Sequence, residues 1–192
     1  MKKEDVLDLI SGLKIDNKIE VKDIPDLDLY MDQVIQLFEA KLSDLKRNDD
    51  DKVLTKTMIN NYAKAKLFMA VKNKKYTKEH LMLMSLIYEF KGTLSISDIK
   101  TILKPIVEKY ESEDGYDLRD LYIRYLEVKK EDSNEFKEFY NKEVNEIINE
   151  EVKYEDKFLL ISSMISMSNM YRRMAEKLID ELLGEENEKW KI

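Results

Sequence analysis

The side chains best suited to chemistry lie between residues 56 and 76, and the chemistry is recognition. Lys56, Thr57, Asn60, Asn61 and Lys64 recur at steps of three and four, which places them on one side of a helix. A carboxamide donates and accepts at once, the pattern adenine offers in the major groove, and lysine reaches phosphate or guanine. Lys72, Lys74, Lys75 and Tyr76 make a second basic cluster. Such a cluster neutralises phosphates and positions a domain without reading sequence. A solvated polar helix face and a solvated basic loop would explain the same residues, so both readings stay open here.

Other chemistry finds little support. His80 is the only histidine, and no cysteine is present. One histidine without such partners makes neither a triad nor a metal site, so His80 reads as structural. Without cysteine there is no disulfide and no thiolate metal centre. Asp49, Asp50 and Asp51 lack the alternating oxygen ligands and the glycine of a calcium loop, and read as a solvated turn. The carboxylates of 131–156 include no Glu-x-x-His pair of a di-iron bundle. No phosphate-binding loop, dinucleotide fingerprint or nucleophile elbow occurs. The expectation is a non-enzyme with no cofactor and no metal.

The charge is unevenly distributed. The whole chain carries −7. Residues 54–104 hold ten lysines against three acids, a local +7, which leaves −14 for the remainder. A basic module inside an acidic protein is the electrostatic footprint of a phosphate-binding surface, and acidic flanks would confine contact to it. The N-terminus lacks the apolar core of a secretion signal, and the most apolar run, 158–170, is too short and too polar to span a bilayer. A cytoplasmic protein with no membrane association is expected.

The elements that must hold these residues are helical. Only 4 Gly and 2 Pro punctuate 192 residues, too few for a sheet-rich fold. Apolar spacing predicts helices over 3–12, 29–45, 55–65 and 78–91, with Asp26 or Asp28 capping the second, Thr55 the third and Thr77 the fourth. The fourth is apolar around much of its girth and is expected to be central. Ser95 with Asp98 has capping-box spacing and opens another helix. Pro105 is expected to interrupt it, with a domain boundary nearby. Helices over 117–130, 133–151 and 155–184 follow. On the last, Met164, Met167, Met170 and Met174 with Tyr171 read as core or dimer seam, or as an adaptable partner surface.

The order of the middle segment resembles the DNA-binding domain of the mercury-resistance (MerR) regulator superfamily. The matching stretches are Leu54 through Tyr62, Leu67, Lys75 through Leu81, and Leu94 through Leu103. The resemblance implies a helix-turn-helix whose second helix ends in Tyr62, a small wing, and two closing helices. The chain departs from that pattern in three places. Asn60-Asn61-Tyr62 stands for Arg-Tyr-Tyr, Lys66 for a glycine, and Ser43 to Val53 expands the turn. The chain also looks like a bacterial family of uncharacterised proteins, through Ile24-Pro25-Asp26, Tyr30-Met31, Leu54 through Tyr62 and Tyr76 through His80.

Together these readings predict an all-α fold with room for a minimal β wing. They divide it into an N-terminal helix and linker (1–25), a MerR-like DNA-binding domain (26–104), and a C-terminal helical domain (105–192) that dimerises or binds an effector, a small molecule or a protein. The expected function is a sequence-specific transcriptional regulator acting on double-stranded DNA as a homodimer. Its recognition helix is 55–65 and its basic wing 72–76. The alternative is a protein-interaction scaffold on a winged-helix-like domain that no longer binds DNA.

Overall fold

The computed structural model describes residues 2–112 and 115–184. Among these, the chain is mainly all-α: seven helices and one two-stranded antiparallel sheet. The helices are α1 (Lys3–Gly12), α2 (Met31–Leu42), α3 (Lys56–Ala65), α4 (Lys78–Phe90), α5 (Ile96–Glu111), α6 (Leu118–Ile147) and α7 (Tyr154–Leu178). A wider π turn, Ile179–Leu183, extends α7. The strands are β1 (Leu29–Tyr30) and β2 (Lys75–Tyr76), with Leu29 opposite Tyr76 and Tyr30 opposite Lys75. No helix among the described residues is long and apolar enough to cross a membrane.

The main core is organised around α4. Every residue from His80 to Ile87 is buried, as its all-round apolar sequence predicts. Around it pack Val34 and Phe38 of α2, Ile59 and Tyr62 of α3, Ile99 and Leu103 of α5, and Leu118 and Tyr122 of α6. A second, smaller cluster joins Val6 of α1, Tyr140 and Val144 of α6, Ile148 and Leu160 of α7.

Local signals set several boundaries. The Thr55 hydroxyl accepts from the N–H of Met58 at 3.1 Å, and the Ser95 hydroxyl accepts from the N–H of Asp98 at 3.1 Å while Asp98 accepts from the N–H of Ser95 at 3.2 Å. Each satisfies N–H groups that a first turn leaves unpaired. The cap of α2 differs from expectation. Neither Asp26 nor Asp28 serves it, because Leu29 and Tyr30 are drawn into the sheet. The helix begins only after Tyr30, whose N–H donates to Gln33 at 2.9 Å.

Two expected breaks are absent. Pro105 lies inside a continuous α5. Its ring removes one helical hydrogen bond, yet Ile99 and Leu103 before it and Val107 after it are buried on one face, and that shared core carries the helix through. The polar run at 131–134 does not divide α6. The Ser133 hydroxyl donates back to the Lys129 carbonyl at 2.9 Å, satisfying its own oxygen within the helix.

Lys66 ends α3 in the left-handed region, with φ 59°. That is the position where the regulator pattern has glycine, and a side chain there is strained by about 1–2 kcal/mol. Lys66→Gly is therefore expected to stabilise the protein by roughly 0.5–1 kcal/mol, since glycine's larger unfolded-state entropy offsets part of the relief. Urea denaturation midpoints would show it.

Candidate nucleic-acid interface

The sequence splits α3 into two faces, and the fold respects the split. Ile59 and Tyr62 are buried and Met58 is half-buried, which leaves Lys56, Thr57, Asn60, Asn61 and Lys64 exposed. Tyr62 and Ile59 anchor the helix to the main core, so the outer face is held on a fixed support.

The wing is a real hairpin. Lys72 bridges Lys75, the N–H of Lys75 donates to the Lys72 carbonyl at 3.0 Å, and the two central residues, Asn73 and Lys74, have φ of 53° and 60°. Positive φ at both centres is the type I′ geometry that suits the twist of a two-residue hairpin. Lys72, Asn73 and Lys74 are exposed at its tip. β2 then pairs with β1, so the wing gains a third short segment from the chain that leads into α2.

Tyr76 does not belong with the exposed residues. It is only 4% exposed, and its ring meets Phe68 and His80 edge-on at centroid distances of 6.4 and 5.8 Å. Phe68 and His80 complete the triangle at 5.6 Å. Its alternation with Lys75 along a two-residue strand turns one side chain in and the other out. Tyr76 thus supports the wing from within.

His80 sits at the centre of that support. Its Nδ1 accepts from the N–H of Thr77 at 3.1 Å, and its Nε2 lies 3.2 Å from the Met69 carbonyl. This arrangement fits the neutral ring with the proton on Nε2, donating to Met69. The imidazole substitutes for the usual Glu of a capping box. Burial lowers its pKa from 6.5, while the Met69 carbonyl and the charges of Glu79 and Asp28 oppose the shift. Since the folded protein holds this proton less firmly than the unfolded chain, stability is full above about pH 6.5 and falls as pH drops below it. The urea midpoint should decline as pH falls below about 6.5, and His80→Gln should flatten that decline. An identical decline in the variant would remove His80 from the account.

The first turn of α2 ties helix and wing together. Lys56 Nζ is 2.8 Å from Asp32, and Lys75 Nζ lies 5.5 Å from the ring centroid of Tyr30. The start of α3 and the root of the wing therefore meet where β1 passes into α2, with Tyr30 exposed between them. Sequence reading quotes Tyr30 only within the family-like Tyr30-Met31 stretch, gives it no place at this surface, and does not single out Asp32. A two-residue strand carries no periodicity to detect, and the partners are distant in sequence, Tyr30 and Lys75 by 45 positions and Asp32 and Lys56 by 24.

Among the described residues, the acids of the C-terminal half make no ion pair with this surface. Among the described residues, no ion pair involves Lys64, Lys72, Lys74 or Lys75, and Lys56 pairs only with Asp32. The acid–base contacts that cross the fold lie elsewhere, as between Lys129 and Glu89, Lys78 and Asp26, or Lys137 and Asp16. No group of three or more His, Asp or Glu among the described residues is placed to hold a metal ion.

A family model described as a domain of unknown function (DUF1836) matches residues 19–125. That span takes in β1, α2, α3, the wing, α4, α5 and the first quarter of α6, which is the main core and the whole of the basic surface. No curated protein and no solved structure matches the chain.

Proposed function

The chain belongs to the DUF1836 family, and we propose that its matched region binds duplex DNA and that the protein regulates transcription in a sequence-specific way. In this reading α3 lies in the major groove. Asn60 and Asn61 face base edges, while Thr57 and the lysines Lys56 and Lys64 contact bases or backbone at the groove edge. Lys72, Lys74 and Lys75 bind phosphates beside it. Tyr76 acts only by holding the wing. The residues beyond the matched region would provide dimer contacts or bind an effector.

One observation carries the reading. A helix with an exposed face of amides and lysines stands beside a hairpin with lysines at its tip, and only Lys56 of the set has an acidic partner. Lysines left unpaired on one surface are free to meet phosphates without first giving up an acidic partner. Asp32 is compatible with the reading, because an exposed ion pair contributes only a few tenths of a kcal/mol and yields readily to phosphate.

A gel shift of the full chain with sheared genomic duplex at low salt tests it. A retarded complex that dissolves as salt rises is expected, since each phosphate neutralised releases counterions. Absence of a complex at low salt would overturn the reading and favour a protein partner on the same scaffold.

A further inference from the structure

The register of the small sheet decides which side chains face outward beside α3. Leu29 stands opposite Tyr76, and both are buried in the main core. Tyr30 stands opposite Lys75. Directly opposed residues of an antiparallel pair share a face, and successive residues alternate, so Tyr30 and Lys75 turn away from that core together. Tyr30 is 54% exposed as a result. Burying Leu29 and Tyr76 thus places a tyrosine on the surface that carries the wing lysines.

The parts of Tyr30 are engaged unequally. Its backbone N–H donates to Gln33 Oε1 at 2.9 Å. Its ring lies against Lys75, whose Nζ is 5.5 Å from the centroid, and this cation–π contact limits how far the ring can swing. Its hydroxyl has no hydrogen-bond partner among the described residues and does not cap α2. Two positions on, Asp32 holds Lys56 at 2.8 Å. The free phenol therefore stands between a lysine of α3 and a lysine of the wing.

A phenol donates a hydrogen bond without adding charge. With α3 in the groove and the wing beside it, a residue between them meets the ridge of phosphates that borders the groove. Tyrosine is among the side chains that position a domain by bonding phosphate oxygens. We infer that Tyr30 is a DNA-contacting residue, its hydroxyl donating to a backbone phosphate between those met by α3 and those met by the wing. The inference rests on the DNA-binding reading above and adds to it an uncharged positioning contact.

Tyr30→Phe isolates the hydroxyl, because phenylalanine keeps the ring on which Lys75 rests. The substitution is at an exposed position, and helical circular dichroism should be unchanged. Fluorescence anisotropy of the full chain with duplex DNA across a salt series is the test. Affinity should fall roughly 3- to 10-fold at every salt concentration, the loss of one hydrogen bond. The slope of log affinity against log salt should not change, since no counterion is at stake. Tyr171→Phe, at a 70% exposed position of α7, is the control and should bind as the parent does. A Tyr30→Phe variant that binds as tightly as the parent would overturn the inference and leave the DNA-binding reading standing. A variant with a flatter slope would also overturn it, by showing that the substitution acts through displaced lysines. A parent chain that binds no duplex at low salt would overturn the DNA-binding reading, and this inference with it.

Discussion

The triple variant Lys64→Gln/Lys72→Gln/Lys74→Gln is expected to bind duplex DNA on the order of 100-fold more weakly at low salt, with a plot of log affinity against log salt flatter by about three. The magnitude follows from counting charges. Each of these side chains is exposed and has no acidic partner among the described residues, so each is free to neutralise one phosphate. Glutamine keeps the approximate length and polarity but releases no counterion. The substitutions touch no core residue, and stability should stay within about 0.5 kcal/mol. Fluorescence anisotropy across a salt series reads both quantities. A slope that does not change would mean that these lysines are not on the interface, whatever else binds.

Tyr122→Ala is expected to destabilise the protein by about 3–5 kcal/mol, the largest effect of any single change considered. The side chain is fully buried in the main core, and its hydroxyl donates to the Ile19 carbonyl at 2.6 Å and lies 3.0 Å from the Ser85 hydroxyl. It thus binds together α6, α4 and the segment that precedes α2. The same burial pushes its pKa up to about 12, so the group stays neutral at any working pH. Tyr122→Phe separates the two contributions. It keeps the ring but leaves buried polar partners unsatisfied, at about 1–3 kcal/mol. Chemical denaturation of both variants checks the pair. A Phe variant as stable as the parent would assign the whole effect to packing.

The parts of this fold that were legible are those set by local chemistry. Thr55, Ser95 and Asp98 announce helix starts because short polar side chains satisfy nearby N–H groups, and the continuous apolar run of α4 has only one place to go. The outer face of α3 was readable because Ile59 and Tyr62 show which way the helix must turn. What escaped is set at a distance. Pro105 and the polar run around Ser133 look like breaks in a local window, but burial on either side carries the helix through the first and the Ser133 hydroxyl, bonded back to the Lys129 carbonyl, fits within the helix at the second. Tyr76 looked like one more exposed residue of a basic loop, until its pairing with Leu29 turned it inward. The apolar positions of α7 were visible, but nothing local shows which of them its own chain would cover. Leu160 and Ile179 are buried, whereas Met170, Tyr171 and Met174 are not.

If α3 reads base sequence, capture of sheared genomic DNA by the full chain, followed by sequencing of what is retained, enriches a discrete motif. Asn60→Ala/Asn61→Ala should abolish that enrichment while retaining salt-sensitive binding to bulk duplex through the lysines. Retention of DNA without any motif, or a motif that survives the double substitution, would contradict it.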